Sequence, residues 1–397
     1  MVLGPDNTVG DVHEIAKKYG FYSVPITEDG TLKTPMIGIV THRDIRYIED
    51  MRIQLKNIMT PKEKLITVHR RDTLDKKDIE AAKRKIKEHN LDTLPVVDDD
   101  FRVVALVTDS DIRKNKQYPL ATKDENGQLK VFVAVESRLE LAKERIRKAY
   151  EAGADGIVID ASVVFREQLE IAKYCKENFN NLEVVLGNVA SAEMVREIIK
   201  EAYDYCDALR VGIGPGRACV TQQKLGTGRA QASAVLDCAR EARKLEKEYG
   251  FMPIIADGGI RNPDLKKLSD IWEPGDITKA LALGANTVMI GYLLAGLDES
   301  PGEKEFNYKE EKMIKKYRGM GSLEAMEKRS SSRYAYTKQD KIKIPEGIEM
   351  EVPYKGSGYK FIPELITGIK QSLQKLGCKN IKELQEYADI RPIDMRI

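Results

Sequence analysis

From Val131 onward one rhythm dominates the chain: a short apolar run, then a polar or amphipathic stretch, repeated six times. The apolar runs cover 131–135, 156–159, 183–186, 208–211, 253–256 and 287–290, and the stretches 139–152, 191–202 and 230–249 carry helical spacing. Apolar runs this short, separated by helices, predict parallel strands covered on both faces. Several end in small or polar residues: Asp160, Gly187-Asn188, Gly212, Asp257-Gly258-Gly259 and Gly291. Such residues at the C-terminal ends of parallel strands predict an α/β fold of the (β/α)8 TIM-barrel type, with the active site on that face. Gly258, Gly259 and Gly291 follow the last two strands, where such barrels grip phosphate through backbone N–H groups. A closed barrel has eight strands, so the first two βα units are expected to be missing here. An open α/β sheet is the alternative.

The part before residue 118 repeats itself. Val40-Thr41-His42-Arg43-Asp44-Ile45-Arg46 returns as Val107-Thr108-Asp109-Ser110-Asp111-Ile112-Arg113, and Ser23-Val24-Pro25-Ile26 returns as Thr93-Leu94-Pro95-Val96. Each copy reads as a helix (9–19; 74–89), a strand with a proline, an acidic turn, and a second strand ending in Thr-x-x-Asp. The pair resembles two CBS motifs of a Bateman module, an α+β domain inserted in the barrel. The resemblance implies that Thr41, Asp44, Thr108 and Asp111 contact the ribose or phosphate of adenine or guanine nucleotides such as ATP or GTP. The other reading is that each Thr and Asp caps the following helix. The expected organisation is CBS motif 1 over 1–55, CBS motif 2 over 56–117 and the barrel portion over 118–397.

Composition narrows the function classes. Sixty-five basic and 63 acidic residues leave a net charge of +2, without the basic excess of a nucleic-acid binder. No apolar run approaches the roughly 20 residues that span a bilayer, and the N-terminus lacks the basic start and apolar core of a signal peptide. The five cysteines have no CxxC spacing, which predicts reduced thiols in a cytoplasmic protein. All four histidines precede residue 90. Chemistry in the barrel portion therefore proceeds without a histidine base.

The most informative segment is Leu209-Arg210-Val211-Gly212-Ile213-Gly214-Pro215-Gly216-Arg217-Ala218-Cys219-Val220-Thr221-Gln222. It is a glycine-dense loop after a strand, carrying one cysteine. Glycines let the backbone aim N–H or C=O groups at a ligand. Beside Arg210 and Arg217, Cys219 is expected to have a lowered pKa and to act as a nucleophile. Cys175, Cys206, Cys238 and Cys378 lie in helical or apolar contexts and read as packed small hydrophobes.

This loop resembles the inosine-5′-monophosphate (IMP) dehydrogenase family. So do Ile255-Ala256-Asp257-Gly258-Gly259-Ile260, Met289-Ile290-Gly291, Glu299-Ser300-Pro301-Gly302-Glu303 and Lys316-Tyr317-Arg318-Gly319-Met320-Gly321-Ser322. The resemblance implies NAD-dependent oxidation of IMP to XMP in guanine nucleotide (GMP) biosynthesis, through a covalent thioimidate on Cys219. It implies water activation by Arg333 and Tyr334, helped by Thr221, on a mobile flap spanning about 303–358. IMP would meet Arg217, Asp257, Gly258, Gly259, Gly291, Tyr292, Tyr317, Met320, Gly321 and Glu346. Asp160, Ser162, Asn188 and Arg210 would line the nicotinamide side of NAD. Backbone carbonyls of Gly214, Gly216 and Cys219 would hold a potassium ion. The family assembles as homotetramers or octamers.

The chain departs from the family pattern. Arg217 stands where a phosphate-binding serine is usual, and Tyr292 also replaces a serine. The tail, 392–397, lacks the Glu-Gly-Gly stretch of the family's cation site, and 263–275, with Trp272, reads as an insertion. Two rivals follow: a GMP reductase, which shares the cysteine loop, and a catalytically dead nucleotide-binding regulatory remnant.

Overall fold

The structure is a computed structural model that describes residues 1–76, 79–124, 127–164, 166–260, 274–327 and 344–391. It divides into two compact units, Met1–Lys130 and Val131–Ile397.

The first unit holds the repeat. Helix Val9–Tyr19 precedes an antiparallel pair, Val24–Thr27 with Met36–Val40, which Thr60–Pro61 extends. Helix Glu80–His89 precedes a second pair, Thr93–Val97 with Val103–Thr108, flanked by Val68–His69. The two copies meet at equivalent positions, where Thr93 Oγ1 donates to Ser23 Oγ at 2.8 Å. Apolar side chains facing inward from each pair, such as Val24, Ile26 and Val40, close separate small cores. The helix expected over 74–89 is shorter, because the residues after Arg70 turn back and Arg70 pairs with Asp75 at 3.1 Å.

Both Thr-x-x-Asp elements are helix caps. Asp44 Oδ2 accepts from the Thr41 N–H at 2.7 Å and from Thr41 Oγ1 at 2.8 Å. Thr108 Oγ1 donates to Asp111 Oδ2 at 2.5 Å and accepts from the Asp111 N–H at 3.0 Å. A cap of this kind contributes about 1 kcal/mol. Asp44→Ala is therefore expected to lower the first unit's stability by about 1 kcal/mol with no nucleotide present. A urea titration checks this, and an unchanged midpoint would remove the capping role.

The second unit is built on six parallel strands in unbroken sequential order: Phe132–Glu136, Gly156–Asp160, Glu183–Val189, Ala208–Val211, Ile254–Asp257 and Thr287–Met289. Sequential order without reversal is that of a (β/α)8 barrel; a doubly wound sheet reverses at a switch point. The helices Leu139–Glu151, Arg166–Asn178, Ala192–Ala202, Gln231–Tyr249 and Gly275–Ala282 follow successive strands. Alternation along each strand divides its side chains. Ile157, Ile159, Leu186 and Leu209 pack against the helices, while Val158, Val185 and Ala208 face the other side with Ile255 and Met289. Among the described residues Phe132–Glu136 and Thr287–Met289 each pair on one side only.

The stretch 303–358, expected to be a flap, has an ordered frame. Strands Lys304–Asn307, Lys312–Arg318 and Glu349–Pro353 form an antiparallel sheet. Ile314 and Val352 are buried, and the buried Lys315 ammonium donates to the carbonyls of Leu297 (2.7 Å) and Ser300 (2.5 Å). Arg333, Tyr334, the 263–273 part of the expected insertion and the tail 392–397 lie outside the described residues.

Candidate active site

The cysteine loop leaves the C-terminal end of strand Ala208–Val211. At Gly212 the backbone passes so close to its neighbour that a Cβ would lie 2.1 Å from the Asp257 carbonyl oxygen. Only glycine fits there. The far side of the loop is held to a second segment by main-chain bonds. The Val220 N–H donates to the Glu346 carbonyl at 2.7 Å, and the Ile348 N–H donates to the Ala218 carbonyl at 2.9 Å. Gly347 in turn donates to the Gly321 carbonyl, and Gly319 to that of Ile348, both at 2.9 Å. These bonds bring three side chains into a line. Cys219 Sγ lies 3.1 Å from Thr221 Oγ1, and Thr221 Oγ1 donates to Glu346 Oε2 at 2.7 Å. Thr221 and Glu346 are buried; Cys219 is half-exposed.

Cys219 opens onto a cleft. Its wall also includes Asn188, Arg217, Asp257, Gly258, Gly259, Gly291, Tyr292, Tyr317, Met320, Gly321 and Glu346. Gly258 and Gly259 turn with φ of 79° and 70°, a left-handed pair that β-carbon residues rarely adopt. Burial, and then the negative charge of Asp257, push the Tyr317 phenol above its ordinary pKa. The Arg217 guanidinium lies over the Tyr292 ring, 4.8 Å from its centroid. All ten residues expected to meet IMP therefore line one cleft with the thiol.

The nicotinamide group divides. Asn188 lines the cleft and donates to Asp257 Oδ2 at 2.9 Å. Arg210 is 3% exposed and engaged by carboxylates, with Nη2 2.9 Å from Asp160 Oδ1 and Nε 3.6 Å from Asp257 Oδ2. Burial pulls its pKa down, opposed by the charge of Asp257. Arg210 is thus a buried brace for two strand-end carboxylates. Ser162 lies in the turn after strand Gly156–Asp160 and outside the cleft wall. Of the two arginines expected beside Cys219, Arg210 pairs with Asp160 and Asp257 and Arg217 lies over the Tyr292 ring, while the thiol's side-chain hydrogen-bond partner is the Thr221 hydroxyl.

A model for the IMP dehydrogenase / GMP reductase domain matches residues 68–395, and one for the CBS domain matches residues 1–49. The chain belongs to the IMP dehydrogenase / GMP reductase family. Inosine-5′-monophosphate dehydrogenase of Aquifex aeolicus is 40% identical, aligned over 98% of this chain and 74% of its own length. The Schizosaccharomyces pombe enzyme is 38% identical over 98% and 70%. Among solved structures, a GMP reductase variant from Trypanosoma brucei in complex with guanosine 5′-monophosphate superposes with a TM-score of 0.77. It is 28% identical and covers 97% of this chain and 75% of its own.

Within this family frame, two groups not present in the structure can be tested against the residues. Asn188 Oδ1 is buried without a hydrogen-bond partner beside the thiol's cleft. An unfilled acceptor there fits the carboxamide of a nicotinamide. Gly214, Gly216 and Cys219 line a small depression with Arg217, Gln222 and Gln223. Carbonyl and amide oxygens fit a hard cation, and the charge of Arg217 on the same wall opposes it. Among the described residues no group of three or more His, Cys, Asp or Glu could hold a metal ion, and no helix is long and apolar enough to cross a membrane.

Burial pushes the thiols of Cys175, Cys206 and Cys238 up to about 12. Sequence reasoning placed Glu346 against the purine and missed its link to Thr221. The two are far apart in the chain, and the main-chain bonds of Val220 with Glu346 and of Ile348 with Ala218 bring their segments together.

Proposed function

We propose that the chain oxidises IMP to XMP with NAD, in guanine nucleotide synthesis. The observation that carries this is the Cys219–Thr221–Glu346 line opening onto a cleft whose wall includes the Gly258-Gly259 turn and Gly291. Cys219, as thiolate, adds to C2 of the purine. Bound NAD would supply the hydride acceptor for C2, with Asn188 and Asp160 on the nicotinamide side. Water then attacks C2 of the resulting thioimidate, XMP forms and the thiol is released. Thr221 passes the water proton to Glu346, a carboxylate route that needs no histidine. Arg333 and Tyr334 are proposed to assist from the flap. Asp257 holds the ribose hydroxyls, and the glycine turn with Gly291 and Tyr317 holds the phosphate. Met320 and Gly321 face the base. Potassium would sit on the carbonyls of Gly214, Gly216 and Cys219.

The same reading proposes a cytoplasmic homotetramer or octamer. It proposes ATP or GTP binding at Thr41, Asp44, Thr108 and Asp111 of the CBS pair, motif 1 over 1–55 and motif 2 over 56–117. GMP reduction with NADPH is the second reading, favoured by the likeness to the GMP reductase complex.

Absorbance of the reduced cofactor tests both readings. NADH should form from IMP, NAD and potassium. NADPH loss with GMP, and no reaction with IMP, would establish the second reading. A folded chain that turns over neither would leave a nucleotide-binding regulatory protein. Glu346→Gln keeps the shape and removes the proton acceptor. It is expected to lower kcat roughly 10- to 100-fold with the KM for IMP within about threefold. An unchanged kcat would take Glu346 out of the proton path.

A further inference from the structure

The cleft wall combines a full charge with backbone dipoles. Arg217 lies over the Tyr292 ring, and Gly258, Gly259 and Gly291 share the wall. The Lys355 ammonium sits 5.5 Å from the same ring centroid, and Tyr317 meets the ring edge-on at 6.3 Å. Tyr292 is buried, and Lys355 Nζ donates to the Leu293 carbonyl at 2.7 Å. The ring is therefore a fixed platform. A guanidinium stacked on such a face keeps its planar fork of donors while stacking sets its position. Glycine turns add N–H donors without charge. Together they suit an anion with several oxygens and more than one negative charge.

We infer that Arg217, positioned by the Tyr292 ring, is the residue by which this cleft selects a nucleotide's phosphate dianion over the uncharged nucleoside. The inference deepens the proposed reading of the cleft as a nucleotide site and rests on it. Recognition by a guanidinium gives phosphate binding a Coulombic component that hydroxyls alone do not supply. Nucleotide affinity should then weaken as salt rises, while nucleoside affinity stays level. Tyr292 is a positioning residue here, and its ring matters where its hydroxyl does not.

Calorimetric titration of the full chain tests this with two pairs of probes, IMP against inosine and GMP against guanosine. Arg217→Ser should weaken nucleotide binding roughly 10- to 100-fold and nucleoside binding less than about threefold. Tyr292→Leu should weaken nucleotide binding roughly 3- to 10-fold, whereas Tyr292→Phe should leave it at the unaltered level. Should Arg217→Ser fail to fold, the salt dependence of the unaltered chain carries the same test. Equal losses for nucleotide and nucleoside, or salt-independent nucleotide binding, would overturn the inference. So would nucleotide binding as weak in Tyr292→Phe as in Tyr292→Leu. Binding of GMP but not IMP, with the same loss on Arg217→Ser, supports the role of Arg217 and defeats the dehydrogenase reading. Binding of neither nucleotide defeats both.

Discussion

Cys219→Ala is expected to lower turnover to below about a thousandth of the unaltered chain's rate, since on the proposed route the Cys219 thiol carries the covalent intermediate. The loss should fall on kcat. Cys219 contributes a small, half-exposed side chain to a wide wall, so the affinity for IMP should stay within about threefold. A chemical experiment gives an independent reading of the same site. The thiolate is the form that reacts with an alkylating reagent. Cys175, Cys206 and Cys238 are buried, with thiols pushed up to about 12. Iodoacetamide should therefore modify Cys219 well ahead of these three, and IMP should protect it. Turnover above about a tenth in Cys219→Ala would remove covalent catalysis from both the dehydrogenase and the reductase readings.

Much of this site was legible in the sequence because its parts are local. The glycine-rich loop, the Asp257-Gly258-Gly259 turn and Gly291 each follow a strand directly, and strand order alone brings their ends together. What was not legible depended on pairings between distant segments. Glu346 reaches Thr221 only because Val220 and Ile348 bond across to the other segment. The ion pairs of Arg210 were hidden for a related reason: on a strand end it reads as a ligand group, and Asp160 and Asp257, which it meets, lie on two other strands far off in the chain. The strand pairing within 303–358 was likewise hidden, because its lysines and glutamates lie in separate segments. In the sheet they are cross-strand partners. Lys316 lies 2.6 Å from Glu305, and Asn307 donates to Glu351 at 2.8 Å. Pairs of this kind fix register and stabilise a short charged sheet.

The brace itself carries the largest expected effect on stability. Arg210→Met keeps a long side chain in place and removes the charge between two carboxylates. Asp160 and Asp257, at the ends of two strands with two others between them, are then left without the guanidinium that now sits 2.9 and 3.6 Å from them. Removing one member of a buried ionic cluster costs about 3–5 kcal/mol, most of it from stranding the remaining charge. In a unit of this size each kcal/mol moves the melting temperature by about 2–4 °C, so a drop of about 6–20 °C is expected. The cause can be separated from lost packing. Adding Asp160→Asn to Arg210→Met removes one stranded charge and should recover part of the loss, whereas two independent packing defects would add. Calorimetric melting of the single and double variants decides between them. A single variant that melts within about 2 °C of the unaltered chain would mean that Arg210 braces nothing. Asn188 gives the brace its link to the site, because its amide bonds both Asp257 and the Gly212 carbonyl that begins the cysteine loop. A stranded Asp257 would shift that amide and the loop together, so activity should fall in Arg210→Met even at temperatures where the fold survives.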